Sequence, residues 1–204
     1  GLEGTGKTTL MKIVQMLTGL ENCAELRTEH LSRPFELSDY FGRVLLCGAD
    51  VPGDFLMHKG ASRLKALTGG ELLHAEIKRK GRCSFHGIFN VGITCNSTLR
   101  VRLDGDEEAW NRRLLLFTFN RKPARVVTGF AELLLREEGS GILNWALEGS
   151  SRVIQELNEH GTLQLSPAQQ ERIDDLLNQS DPVRSFVSKL ERVYEDVSSA
   201  TLTC

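Results

Sequence analysis

Three groups of residues have types and spacings that could carry chemistry. The first is Gly1, Gly6, Lys7 and Thr8 in GLEGTGKTT, which satisfy the GxxxxGK[ST] pattern of a phosphate-binding loop. Glycines let backbone N–H groups turn inward around phosphates where a Cβ would obstruct the approach. Lys7 can reach β- and γ-phosphates, and the Thr8 hydroxyl can ligate Mg²⁺. Leu10, Ile13, Val14 and Leu17 follow at i, i+3, i+4 and i+7, which predicts a helix with one apolar face that receives the phosphates at its N-terminus.

The second group lies at the ends of two apolar runs. RVLLCGADVPGDF ends on Asp50, an acid that could hold the Mg²⁺ shell or polarise an attacking water. The alternative is an ordinary turn aspartate, favoured by the Val51-Pro52-Gly53 that follows. FNVGITCNSTLR ends on Asn96, which could bond a γ-phosphate or position the water, or serve as a strand-end turn residue.

The third group is basic. Arg112 and Arg113 in EEAWNRRLLLFTF precede an apolar run. An arginine offered across a subunit boundary stabilises phosphoryl-transfer charge by roughly 10³–10⁵ in rate; a solvated pair is the plainer reading. From Ile77 to Leu103 there is no Asp or Glu, but Lys78, Arg79, Lys80, Arg82, Arg100 and Arg102 are present. IKRKGRCSF places Gly81 for a turn, so Lys78, Arg79, Lys80 and Arg82 form a basic hairpin tip suited to a phosphate backbone. A merely solvated hairpin is the competing reading.

These groups need elements to position them. Short strands are expected at 23–28, 43–49, 89–96 and 113–119, with a helix at 55–67 closed by Thr68-Gly69-Gly70. Strands alternating with helices behind a phosphate loop indicate a three-layer α/β P-loop ATPase. Past Pro123 only helices are expected, at 130–137, 142–160, 167–178 and 182–197, the last with Pro182 in its first turn. The texture divides the chain into a core at 1–122 and a C-terminal helical region at 123–204.

Composition is that of an ordinary soluble domain: 204 residues, 40% hydrophobic, 25% charged, formal net charge −2. That balance argues against a generally basic nucleic-acid coat while leaving room for a local basic element. Cys23, Cys47, Cys83, Cys95 and Cys204 show no CxxC spacing, which reads as reduced thiols in a cytoplasmic protein. No apolar run approaches the roughly 20 residues needed to span a bilayer, so no membrane partner is expected. Gly1 is not a start methionine and no strand precedes the loop. The expectation is a fragment of a longer protein.

In this order and spacing, GLEGTGKTT, LLCGADVPGDFL, LKALTGGELLHAEIKRKGRCSF, GITCNSTLR, AWNRRLLLFTF and EEGSGILNWALEG resemble the superfamily 3 helicase domain of phage- and plasmid-type primase–helicases, a member of the AAA+ class. The resemblance runs from residue 1 to about residue 150. It implies a ring, usually hexameric, that hydrolyses ATP with Mg²⁺ between subunits and moves single-stranded or forked DNA through its pore. It further implies a primase domain on the N-terminal side and the cytoplasm of a bacterial or virus-infected cell.

Carried over by residue, the resemblance makes Gly1, Gly4, Thr5, Gly6, Lys7, Thr8 and Thr9 the nucleotide loop, and Thr8 and Asp50 the metal-side pair. Asn96 becomes the first sensor, and Arg112 and Arg113 cover the arginine finger. The chain departs from the family where Asp50 replaces the usual glutamate, where Ser97-Thr98-Leu99 replaces a proline-bearing turn, and where Asn111 separates Trp110 from the arginines. Two functions follow: an ATP-driven DNA helicase, or a nucleotide-gated DNA-binding or assembly module, such as an inactive prophage remnant, that scarcely hydrolyses. A small-molecule kinase would leave the basic hairpin and paired arginines unexplained.

Overall fold

The computed structural model describes residues 2–31, 33, 35–57, 60–77, 81–181, 186, 187 and 190. Gly1, the hairpin-tip residues Lys78, Arg79 and Lys80, and most of the helix expected at 182–197 lie outside them. The chain is a mixed α/β protein. Its sheet has three parallel strands in the order β1 (Cys23–Glu25), β2 (Leu45–Gly48), β5 (Asn90–Ile93). A separate antiparallel ribbon joins β3 (Leu72–Ile77) to β4 (Gly81–His86). Among the described residues no helix is long and apolar enough to cross a membrane.

Parallel register sorts the strand residues by face. Leu45 pairs with Cys23 and Asn90, and Cys47 with Glu25 and Gly92, whereas Leu46 pairs with Ala24 and Val91. Side chains alternate between faces along a strand, so Cys23, Cys47 and Gly92 share one face. Helix α1 (Lys7–Thr18) lies on it: a Cβ at Gly92 would stand 2.6 Å from Met11 Cε, so the end of the Met11 side chain fills the space over this glycine. Burial beneath the helix pushes the Cys47 thiol up to about 11, with Cys23 adding to the effect and Gln15 opposing it. Cys47 is therefore an inert packing residue.

The helix buries only part of the face its periodicity predicts: Ile13 and Leu17 are half-buried. Met11 and Gln15 meet the sheet, while Leu10 and Val14 are exposed. Among the described residues the sheet has three strands, and Leu10 and Val14 are exposed beside them.

The opposite face carries the first core cluster. Leu46 and, partly buried, Ala24 and Val91 pack with Leu26, Leu37, Tyr40, Leu67, Leu73 and Phe89. Within it Glu36 is buried, and its carboxylate accepts from the Tyr40 hydroxyl at 2.8 Å and from Arg27 Nε at 3.1 Å. Burial raises the Tyr40 hydroxyl well above its ordinary range, so it remains a donor.

The second cluster joins the two halves of the chain. Helix α2 (Gly60–Thr68) contributes Ala61 and Leu64, and helix α3 (Glu107–Asn111) contributes Trp110. Helix α5 (Pro167–Ser180) adds Ile173, Leu176 and Leu177. Ser166 caps α5 by accepting from Gln169 N, with Pro167 in the first turn. Ser180 Oγ accepts from Val101 N at 3.0 Å. The C-terminal helical region thus shares a core with the first 122 residues through α5.

Three sequence expectations are corrected. Residues 113–119 form no strand: a strand needs a ladder, and among these residues the backbone bond to another segment is Leu2 N to Phe119 O, 3.0 Å. The helices expected at 130–137 and 142–160 are one, α4 (Phe130–His160). Gly139-Ser140-Gly141 costs about 1 kcal/mol per glycine but does not interrupt helical hydrogen bonding. The remaining strands are shorter than expected, ending where their parallel register ends.

Replacing Arg27 with methionine should cost about 2–3 kcal/mol by urea unfolding, because Glu36 would stay buried without its cation. The figure is below that for a fully buried pair because 40% of the Arg27 side chain is exposed. Asp39→Ala, which removes an exposed partner of the same arginine, should cost less than about 1 kcal/mol.

Candidate functional site

Residues 2–6 form a tight loop ahead of α1. Gly4 and Gly6 have φ of 71° and 94°, and a Cβ at either would meet nothing within 4 Å. The need for glycine here is conformational rather than spatial. Gly6 caps the helix and, as a glycine, supplies it no side-chain bond. A helix entrance with no acid in its first turn presents the positive end of the helix dipole, which favours an anion. Two donors converge on Leu2 O: Thr5 Oγ1 at 2.7 Å and Lys7 Nζ at 2.5 Å. Thr5 is buried, Thr8 is exposed and Thr9 half-buried.

The direction of α1 locates this loop relative to the sheet. Met11 stands over Gly92, the third residue of β5, while Gln15 O and Gly19 O are next to the Cys23 thiol at the start of β1. The helix therefore runs from the carboxyl ends of the strands toward their amino ends. Its N-terminus and the loop sit at the carboxyl edge, where ligands of open parallel sheets are bound.

Asp50 and Asn96 emerge at that same edge, from β2 and β5. Asn96 Nδ2 donates to Asp50 Oδ1 at 3.1 Å. Asp50 takes the left-handed conformation, φ 47°, which aspartate tolerates better than most side chains. Thr94 holds it there. Thr94 Oγ1 accepts from Asp50 N at 3.0 Å, Thr94 O accepts from Val51 N at 2.9 Å, and Thr94 N donates to Gly48 O at 2.9 Å. Sequence reading missed Thr94. Its only local signal was a β-branched residue in an apolar run, and its pairing with residues 48–51 is set by strand register.

The two arginines have separate environments. Arg113 turns inward: Nη1 donates to Ala109 O at 2.8 Å, Nη2 lies against Gly69, and the buried Nε has no partner among the described residues. Arg112 is exposed at the C-terminus of α3. Asn111 accepts from Gln170 Nε2 of α5 at 2.8 Å, which fixes the turn that splays the pair. Lys65, 5.4 Å above the Trp110 ring, bonds Asp106 at 2.5 Å and, with weaker help from Arg112 and Arg113, holds that carboxyl below its usual range.

In the ribbon, residues 73, 75, 83 and 85 face the core and 74, 82, 84 and 86 face outward. Phe85 makes edge contacts with Phe41 and Phe89 at 5.8 and 5.9 Å, so it is a core residue. His86 is exposed, with Nδ1 3.0 Å from Gly70 O. One expectation changes: Arg82 is not without an acid nearby. The register sets it opposite Glu76, at 3.5 Å, a neighbour across the ladder that a count along the chain does not reach.

The site thus brings together a glycine loop at a helix entrance and a bonded acid–amide pair, at the carboxyl edge of a parallel sheet in a mixed α/β chain. The chain belongs to DUF5906, a family of unknown function, which matches residues 1–113 and so covers the loop, Asp50, the ribbon, Asn96 and both arginines. No curated protein matches it.

Thr94→Val keeps shape but leaves Asp50 N without its acceptor. The expected loss is about 1–2 kcal/mol in urea unfolding. Asp50→Gly, which relieves the left-handed strain, should not lower stability.

Proposed function

We propose that this chain is the ATP-hydrolysing module of a superfamily 3 type DNA helicase. In this reading it has a three-layer AAA+ P-loop core and couples hydrolysis to movement along single-stranded DNA. The observation that carries the proposal is the shared edge: the glycine-capped entrance of α1 and the Asp50–Asn96 pair lie at the same end of the sheet.

Each side chain then has a role. Loop amides hold the phosphates, and Lys7 exchanges Leu2 O for β- and γ-phosphate oxygens. The Thr8 hydroxyl and Asp50 carboxylate are hard oxygen donors, the kind of set that Mg²⁺ takes together with substrate phosphates and water. Bound there, Mg²⁺ would neutralise charge on the β,γ-oxygens. Among the described residues there is no cluster of three or more His, Cys, Asp or Glu side chains that could hold a metal by itself. Asp50 Oδ1 is oriented by Asn96, which leaves Oδ2 to accept from the attacking water.

Arg112, exposed and directed outward, is the candidate for trans stabilisation of a neighbouring site; Arg113 serves its own fold. In this reading the chain assembles as a homo-oligomeric ring, a hexamer, without a membrane partner and beside a primase domain, in the cytoplasm of a bacterial or virus-infected cell.

A second reading draws on Asp50 itself. The aspartate is one methylene shorter than the glutamate usual in superfamily 3 helicases and is held in a left-handed turn. A module that binds nucleotide and DNA but scarcely hydrolyses would look the same apart from turnover.

Lys7→Ala should abolish binding of a fluorescent ATP analogue; unchanged affinity would refute the loop assignment. Arg112→Ala should spare that affinity and stability but stop hydrolysis, and its subunits doped into wild-type rings should poison activity beyond simple dilution. Arg113→Ala should instead lower the urea midpoint. Wild-type binding without turnover, with or without DNA, selects the second reading.

The ribbon is tested separately. Replacing Lys78, Lys80 and Arg82 with alanine should flatten the salt dependence of single-stranded DNA binding by about 0.7 in log–log slope per lost contact. Basal ATP turnover should persist while its stimulation by DNA disappears. A wild-type slope would make the ribbon a solvated hairpin.

A further inference from the structure

A second basic stretch lies beyond the arginine pair. From Ala109 to Ala131 there is no Asp or Glu in 23 residues, where 27 acids in 204 residues would place about three. The same stretch holds Arg112, Arg113, Arg121, Lys122 and Arg125. Arg113 is committed to the fold, but every residue from 121 to 130 is exposed. Among the described residues Arg121, Lys122 and Arg125 make no ion pair. Three unpaired cations within five residues repel one another, and no carboxylate of the segment relieves them.

One bond ties the start of this stretch to the loop. Phe119 O accepts from Leu2 N at 3.0 Å, at the base of the loop whose Leu2 O receives Thr5 and Lys7. Arg121 is two residues, about 7 Å of extended chain, past that bond. Pro123 stiffens the segment between Lys122 and Arg125 by fixing φ. The cations are therefore tethered next to the helix entrance instead of wandering over the surface.

We propose that Arg121, Lys122 and Arg125 form a second phosphate-contacting element beside the loop, a role that rests on the loop's being a phosphate site. The ligand chemistry is the phosphate oxyanion. It has two sources: the polyphosphate of a nucleotide held by the loop, or the backbone of a nucleic-acid strand crossing the same edge. In either case the contribution is electrostatic, because the guanidinium and ammonium groups are solvated and carry no fixed geometry in the free protein.

The test is the full chain with Arg121→Gln, Lys122→Gln and Arg125→Gln combined, titrated with two probes. One is a non-hydrolysable ATP analogue with Mg²⁺, the other a labelled oligo(dT) 20-mer across a salt series. If the nucleotide is the source, analogue affinity falls tenfold or more and the oligo(dT) salt slope is unchanged. If the strand is the source, the slope falls by about 2, three contacts at about 0.7 each, and analogue affinity is unchanged. All three positions are exposed, so the urea midpoint should match wild type. A variant that keeps both wild-type affinity and wild-type slope overturns this proposal alone. A wild-type chain that binds neither probe overturns it together with the reading of the loop.

Discussion

Thr94 receives Asp50 N on its hydroxyl and Val51 N on its carbonyl, and gives its own N–H to Gly48 O. Those three bonds continue the β2–β5 ladder past its last regular pair, Gly48 with Ile93. They turn the chain so that Asp50 enters the left-handed region and meets Asn96. The acid–amide pair is therefore a product of sheet register. A slip of one residue between β2 and β5 would reverse the faces of Leu46 and Cys47 and separate the pair at once. Burial of Leu46 in the first cluster opposes that slip, so the core and the site are stabilised by one alignment.

The other half of the site depends on thinness. Cysteine and glycine beneath α1 let the helix lie close to the sheet, with Met11 filling the space over Gly92. The approach angle that results brings the helix entrance to the carboxyl edge. A larger residue at 92 would first displace the end of the Met11 side chain. Among the described residues neither core cluster contains this contact, and the loop is joined to helix α1, to Phe119 through one backbone bond, and to itself through Thr5 and Lys7.

What was legible in the sequence follows from the range of the physics involved. The loop and α1 are local: two left-handed glycines and a helix within eighteen residues can be read along the chain. Asp50 and Asn96 were legible as residues ending apolar runs, although their bond to each other was not. Thr94, the Glu76–Arg82 pair and the Asn111–Gln170 bond are cross-chain relations, separated by 44, 6 and 59 positions, and nothing along the chain announces them. The difference between Arg112 and Arg113 has the same origin, since which arginine turns inward depends on Gly69 and Ala109. Residues 113–119 show the opposite failure. Leu114 and Leu116 pack on the second cluster while Leu115 and Phe117 are exposed, a strand-like alternation without a ladder. Periodicity records which side chains are covered and says nothing of where backbone groups find partners.

Among the described residues β5 is hydrogen-bonded on one side only, to β2. Its other side is an unpaired row of backbone donors and acceptors, and Leu10, Val14, Leu115 and Phe117 are exposed elsewhere on the chain. An edge of that kind accepts any extended segment of suitable pattern, including one from another molecule. A net charge of −2 supplies little mutual repulsion to prevent it. A strand edge is thus one route by which the isolated chain could associate with another copy. Its solubility should respond to whatever occupies that edge, and added salt, which screens the remaining repulsion, should make it worse.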